Sequence, residues 1–236
     1  MSNEPQPTSS PTPGSERRLM RLQAISGLVF SAFLLLHLTN VMLSAFGPGL
    51  YDAFQIRIRP IYQFPLFEIG VLMTSLVVHI ATGVIRLRRR PRSRGFWKLP
   101  LRTRLHRASA YFLLVFIAGH IAATRLPSLL DGVWLGFAGL SYSMAFLPQY
   151  FYPYYVLLGL CGLYHGGYGA YLALRGLGIR LPSIAALGLR VKVPLVIGAV
   201  LIILGVLSFG GLFYPIADPH QSDFARWAAE VFGTGG

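Results

Sequence analysis

Residues 22–46, LQAISGLVFSAFLLLHLTNVMLSAF, decide the fold because they form a long apolar stretch without a charged side chain. A helix needs roughly 20 apolar residues to cross the hydrocarbon core of a bilayer. Backbone polar groups have no water to bond there, so a crossing segment must satisfy them internally as a helix. The sequence therefore predicts that this stretch is a transmembrane helix.

Four further stretches are also long and apolar, at 66–85, 108–124, 154–174 and 194–213, and the first of them contains a single charged residue, Glu68. The whole chain is 54% hydrophobic and only 12% charged, with a mean hydropathy of +0.56. Soluble domains carry about 25% charged residues, so an ordinary soluble fold is excluded. We expect an all-α integral membrane bundle of five helices with the amino terminus inside.

The distribution of charge supports this orientation. The chain has 21 basic and 8 acidic residues, and such an excess in so apolar a chain is typical of cytoplasmic loops rather than a nucleic-acid-binding surface. Five spans place the basic clusters at 17–21, 86–107 and 175–192 inside and leave four arginines outside: Arg57, Arg59, Arg125 and Arg226. A sixth span at 132–151 would move the 175–192 cluster outside, so we expect an interfacial loop or short helix there.

Three regions follow from this pattern. Residues 1–16 are rich in Pro, Ser and Thr and predict a disordered tail that lacks the pattern of a targeting leader. Residues 17–216 form the transmembrane domain, and residues 217–236 form a short outer-side tail. Cys161 is the single cysteine, which excludes disulfides and cysteine-ligated zinc or iron–sulfur sites.

Four of the six histidines lie one in each of four predicted spans: His37, His79, His120 and His165. Ionisable side chains are costly in a bilayer and tend to face the bundle interior, where they meet partners. Depth is measured from the inner flanking arginines at a rise of about 1.5 Å per residue. On this scale His37 lies at about 24 Å and His120 at about 20 Å. His79 lies at about 10 Å and His165 at about 15 Å. The sequence therefore predicts an outer and an inner layer, each with two imidazoles.

Two layers of two imidazoles match the ligands of two haems, because a bis-histidine iron takes one nitrogen from either side. We therefore expect two haems b, with metal ligands His37 and His120 in the outer layer and His79 and His165 in the inner layer. Any one of these histidines could equally serve an interhelical hydrogen bond or a proton relay, but the paired depths favour haem. His106 and His220 are expected to be interfacial or solvated.

Small residues and arginines lie near the predicted ligands. Glycines occur where a flat macrocycle would press against a helix: Gly83, Gly119, Gly166, Gly167 and Gly169. Candidates for binding the haem propionates are Arg125 on the outer side and Arg86 or Arg175 on the inner side. Glycine is also common at helix contacts and arginine also flanks most spans, so neither signal is specific.

Glu68 is the one carboxylate that adjoins a span near the outer histidine layer. It could be an interfacial acid that the dipole at the start of a helix stabilises. It could also exchange protons with a quinone, since quinone reduction moves protons together with electrons. Arg57, Arg59, Tyr62 and Gln63 are close in sequence and could contribute to such a site.

Nearly the whole chain after residue 16 resembles a known family. It is similar to the di-haem cytochrome b anchor subunit of succinate dehydrogenase and fumarate reductase. The similarity lies in four histidine-bearing stretches, which a last span without histidine follows: RRLMRLQAISGLVFSAFLLLHLTN, LFEIGVLMTSLVVHIATGVIRL, RLHRASAYFLLVFIAGHIAATR and YYVLLGLCGLYHGGYGAYLALRGLGI. The resemblance implies the same pairs, His37 with His120 and His79 with His165, and it implies an acid that matches Glu68.

The resemblance also implies partners and a location. This chain would be non-catalytic alone and would pass electrons between iron–sulfur and flavoprotein subunits on the inner side and quinone in the membrane lipid. We expect a bacterial inner membrane in preference to a mitochondrial one. The basic loop at 86–107 could dock an acidic iron–sulfur subunit or anionic lipid headgroups.

A second resemblance gives an alternative. The stretches LLLHLTNVML, RPIYQFPLFE and VHIATGVIRLRRR are also similar to the transmembrane domain of the fungal mitochondrial adapter protein that recruits a lipid-transfer protein. That resemblance implies a stand-alone membrane adapter in lipid homeostasis, without a dehydrogenase.

Overall fold

The computed structural model describes residues 13–89, 95–216 and 218–233, and this part of the chain is helical without strands. Eight helices of eight or more residues are numbered in chain order. They are α1 Pro13–Leu43, α2 Pro48–Tyr62, α3 Pro65–Arg89, α4 Leu101–Asp131, α5 Phe137–Phe146, α6 Pro148–Gly176, α7 Leu189–Phe209 and α8 Asp223–Phe232.

Four helices are long and apolar enough to cross a membrane: α1, α3, α4 and α7. The fifth predicted span, 154–174, lies within α6, which is 29 residues long but has a more polar sequence, with tyrosines and glycines throughout. The predicted membrane character and all-helical class are therefore confirmed. The predicted tail at 1–16 falls mostly outside the described residues, and α1 begins at Pro13.

α1 is antiparallel to α3 and to α6. α1 packs against α3, α6 and α7, and α4 packs against α6. The start of α1 lies beside the ends of α3 and α6, because Arg86 donates a hydrogen bond to Gln23 and the sulfur of Met20 lies against Gly176. Between α3 and α4, by contrast, the described residues show no extended packing. The histidine-bearing helices therefore surround a space in the middle of the bundle.

The first six residues of α3 after its opening turn, Glu68–Met73, form a π-helical segment. Such segments are rare and occur frequently at functional sites, where they change the direction in which side chains project. Here the segment begins with Glu68, so an irregular turn of helix carries the carboxylate singled out from the sequence.

The short helix expected at 132–151 is α5, which is ten residues long. Phe137 and Met144 of α5 are buried against Tyr51 of α2 and Phe209 of α7. The predicted outer-side tail at 217–236 contains α8, which packs on α5, and Trp227 of α8 donates a hydrogen bond to Asp131. Together α2, α5 and α8 cover one end of the bundle.

Candidate functional site: two imidazole pairs in one cavity

A cavity of about 710 Å³ lies between α1, α3, α4 and α6. At one end, called the basic end, its lining includes Arg86 and Arg107. At the opposite end, called the Glu68 end, it includes Arg59, Glu68 and Arg125. The volume lies in the range of about 300–1,000 Å³ that is usual for ligand pockets.

The structure brings the four predicted histidines together in two pairs inside this cavity. The ring centroids of His37 and His120 are 6.0 Å apart, and those of His79 and His165 are 6.1 Å apart. Each pair joins helices that are not consecutive in the chain: α1 with α4, and α3 with α6. Only the tertiary fold, rather than any local motif, therefore produces these pairs.

The spacing suits two nitrogens bound to one metal atom. Metal–imidazole bonds of about 2 Å on opposite sides of a metal would place the ring centroids roughly 6 Å apart. The interplanar angles of 68° and 82° do not oppose this, because rotating a ring about its metal–nitrogen bond changes the angle without moving the nitrogen. Both pairs therefore have the separation of axial ligands.

Hydrogen bonds fix the rings of the basic-end pair. Nδ1 of His79 lies 3.0 Å from the carbonyl oxygen of Gln23, and Nδ1 of His165 lies 3.4 Å from that of His106. A carbonyl oxygen can only accept, so Nδ1 donates in each ring and Nε2 keeps its lone pair. Because the backbone carbonyls of neighbouring helices bind Nδ1–H, the lone pair of Nε2 in each ring is available to a metal.

His106 has contacts that the sequence did not indicate. We expected an interfacial or solvated side chain, but His106 is half-buried, lines the cavity and stacks on His165 with centroids 4.4 Å apart and rings nearly parallel at 5°. Proximity to the basic residues at 102–107 suggested solvent. The signal that could have identified it is helical spacing, because His106 and His120 are four turns apart on one face of α4.

The Glu68 end holds a charged cluster. Arg125 donates from Nε to Oε1 of Glu68 at 2.5 Å and from Nη2 to Oε2 at 2.7 Å, which is the bidentate geometry of a strong ion pair. The two side chains are only 19% and 16% exposed. This pair bridges α3 and α4 where their backbones are apart. It also shows that the guanidinium of Arg125, a propionate candidate, already has a carboxylate partner.

Two residues of α2, Arg59 and Tyr62, and Gln63 directly after this helix complete this end of the cavity. Arg59 is 6% exposed, donates from Nε to Gln63 Oε1 at 2.6 Å, and stacks on the indole of Trp134 at 4.5 Å. Burial lowers the pKa of Arg59 and raises that of Tyr62. Arg57, in contrast, is exposed on the same helix.

The remaining predicted residues divide between the cavity and the surface. Arg86 lines the cavity and contacts Gln23 and Glu16, whereas Arg175 is exposed, contacts Tyr171 and does not line it. Of the glycines, those in the lining are Gly83, Gly166 and Gly169, and those outside it are Gly119 and Gly167. His220 is exposed and lies against Tyr142.

The donor set fits haem better than a bare metal ion. In the described part of the chain no group of three or more His, Cys, Asp or Glu side chains could hold a metal ion. A pair of imidazoles leaves the other coordination positions to be filled by a macrocycle, and both pairs line the same cavity. His120 Nδ1 and Arg59 Nη1 are buried without a hydrogen-bond partner, which is consistent with a missing polar ligand.

Comparisons with known proteins identify no relative: no family model, no curated protein and no solved structure matches this chain.

Proposed function

We propose that this chain is a membrane-embedded di-haem cytochrome b. In this proposal it is the quinone-reactive anchor subunit that passes electrons between a peripheral succinate dehydrogenase or fumarate reductase type complex and membrane quinone. It is a five-span bundle in a bacterial inner membrane with its amino terminus inside, so the basic end of the cavity faces the cytoplasm. The single observation that carries the proposal is the presence of two cross-helix imidazole pairs at 6.0 and 6.1 Å in one cavity.

Each pair of imidazoles binds one haem in this proposal. His37 and His120 hold the outer haem, and His79 and His165 hold the inner haem, with Nε2 as the ligating atom of the inner pair. When bound, the two haems supply one-electron transfer across the bilayer. The walls of α1, α3, α4 and α6 exclude water from the ligands and keep the imidazoles neutral. Glu68 holds or releases a proton at the outer end, where quinone would bind.

The test is haem content in purified full-length protein. We expect reduced b-type absorption bands and about two haems per chain. We expect His37→Ala and His120→Ala to remove one and the same haem, and His79→Ala and His165→Ala to remove the other. The matched control is His220→Ala, since His220 is exposed and lies outside the cavity.

The measured haem content and the co-purifying subunits distinguish the cytochrome proposal from the adapter alternative. A wild-type protein without haem would overturn the cytochrome proposal, and losses that cross the two pairs would overturn the assignment of layers. Co-purification of iron–sulfur and flavin subunits supports the role as a redox anchor. A lipid-transfer partner without these subunits would contradict it and support the adapter alternative.

A further inference from the structure

Arg59 is a buried guanidinium that forms no ion pair with a carboxylate of the described residues. It is 6% exposed, and no carboxylate in the described part of the chain forms an ion pair with it. Its Nη1 atom is buried and has no hydrogen-bond partner among the described residues. An isolated buried charge is strongly unfavourable, so such a group usually has a counter-ion.

The acidic residues nearest to Arg59 are otherwise engaged. Glu68 accepts two hydrogen bonds from Arg125, so these two charges neutralise each other. Asp52, on the same face of α2 two turns earlier, accepts a hydrogen bond from the backbone N–H of Phe137. The cluster of Arg59, Glu68 and Arg125 therefore carries one net positive charge, and Arg59 is its member without an ion pair.

The surroundings of Arg59 hold it in place and direct it into the cavity. Gln63 fixes Nε and the face of Trp134 packs on the guanidinium, so the side chain cannot turn toward solvent without losing both contacts. Arg59 and Gln55 both line the cavity that holds His37 and His120. Gln55 Oε1, like Arg59 Nη1, is buried without a partner.

We propose that Arg59 binds a carboxylate, and that this carboxylate is a propionate of the haem held by His37 and His120. This inference rests on the proposed function. It assigns the outer propionate to Arg59 in place of Arg125, because the guanidinium of Arg125 is already paired with Glu68. A planar guanidinium is suited to this task because it can form two parallel hydrogen bonds with a carboxylate.

The experiment compares haem with its dimethyl ester, in which both propionates are blocked. The full chain carrying His79→Ala, which keeps only the outer pair, is produced without haem and titrated with each compound by absorbance. We expect the free acid to bind at least about tenfold more tightly than the ester, since charge-assisted hydrogen bonds are among the strongest in proteins. Arg59→Gln should reduce this preference to about one, and Arg59→Lys should keep part of it.

The matched control is Arg57→Gln, two residues away on the same helix but exposed, which should leave the preference unchanged. A preference that persists in Arg59→Gln, or that never exists in the parent, overturns the assignment of the propionate to Arg59. Failure of the parent to bind either compound, together with wild-type protein that lacks haem, overturns the proposed function instead, and this inference with it.

A second measurement covers the case in which a variant folds poorly. Haem should raise the unfolding temperature of Arg59→Met less than that of the parent, because the variant lacks the guanidinium that binds the propionate. Each protein is compared with its own haem-free form, so the loss of the contacts with Gln63 and Trp134 cancels out. An equal rise in the two proteins would contradict the proposal.

Discussion

Single side chains at the Glu68 end of the cavity determine what chemistry this end can perform. Glu68 is held by both nitrogens of a bidentate pair with Arg125 and is 16% exposed. A carboxylate in this position is fixed in orientation, shielded from bulk water and beside the cavity. The proposed proton exchange with quinone would therefore take place at a carboxylate whose position is fixed.

We predict that Glu68→Gln slows quinone turnover by roughly 100-fold, the usual range for loss of a general acid or base. Glutamine has nearly the same shape and can still accept a hydrogen bond from Arg125, so haem content should stay at the wild-type level. The measurement is the rate of haem reduction by quinol in purified protein, together with the haem content of the same sample.

The double variant Glu68→Gln with Arg125→Gln separates proton transfer from charge balance. It removes the negative charge of Glu68 and the positive charge of Arg125 together, so the net charge is unchanged and no carboxylate remains at this position. Turnover that returns to the wild-type rate in the double variant would mean that Glu68 only neutralises Arg125, and proton transfer by Glu68 would be rejected.

The sequence allowed some of these residues to be predicted because depth in a membrane follows from distance along a helix. The rise per residue placed His37 level with His120, and His79 level with His165, without any knowledge of packing. The stacking of His106 on His165 and the engagement of Arg125 by Glu68 depend on how helices rotate about their axes. That rotation is set by packing with neighbours, so neither contact could be predicted from the sequence.

At the scale of the elements, close approach of α1 to α3 holds the basic-end pair. A methyl group added at Gly27 of α1 would lie 2.7 Å from His79 Nδ1 and 2.8 Å from His79 Cε1. The absence of a side chain at this glycine therefore gives the imidazole of α3 the room to reach the carbonyl oxygen of Gln23.

We predict that Gly27→Ala displaces His79 and lowers the content or the reduction potential of the haem at the basic end, while the other haem is unchanged. The control is Gly167→Ala on α6, where a methyl group would meet no atom of the described residues within 4 Å. Potentiometric titration of both haems checks this. Equal effects of the two substitutions, or an effect of Gly27→Ala on the other haem, would contradict the role given to Gly27.

The helices themselves were partly predictable. Apolar runs identified the five long helices, but each helix begins before its run, because a helix continues into the polar region outside the hydrocarbon, as α4 does from 101 to 107. α7 ends at Phe209, before the predicted end at 213. α2 was not predicted, since Pro48 and Pro60 and its mixed polarity resemble a connection. Its amphipathic face is recognisable only once α5 and α7 are present to bury Tyr51.

At the scale of the whole molecule, the position of α6 decides the number of spans. α6 lacks the hydropathy of the other four long helices, yet it packs against α1 on one side and α4 on the other. Its 29 residues correspond to about 44 Å, more than the hydrocarbon thickness of about 30 Å. A helix that packs between two spans and contributes His165 to the cavity must share their depth.

We therefore predict that α6 crosses the membrane, so that the chain has five spans and its ends lie on opposite sides.

The test uses single cysteines in the full chain carrying Cys161→Ser, labelled in intact cells by a thiol reagent that cannot cross the membrane. Ala138→Cys follows α4, Ile179→Cys follows α6 and Glu230→Cys lies in α8, and all three positions are exposed. With five spans and the amino terminus inside, Ala138→Cys and Glu230→Cys are labelled and Ile179→Cys is protected. If α6 does not cross, Ile179→Cys is labelled and Glu230→Cys is protected. Ala138→Cys stays labelled in both cases and serves as the control. Protection of Ala138→Cys would mean that the amino terminus lies outside.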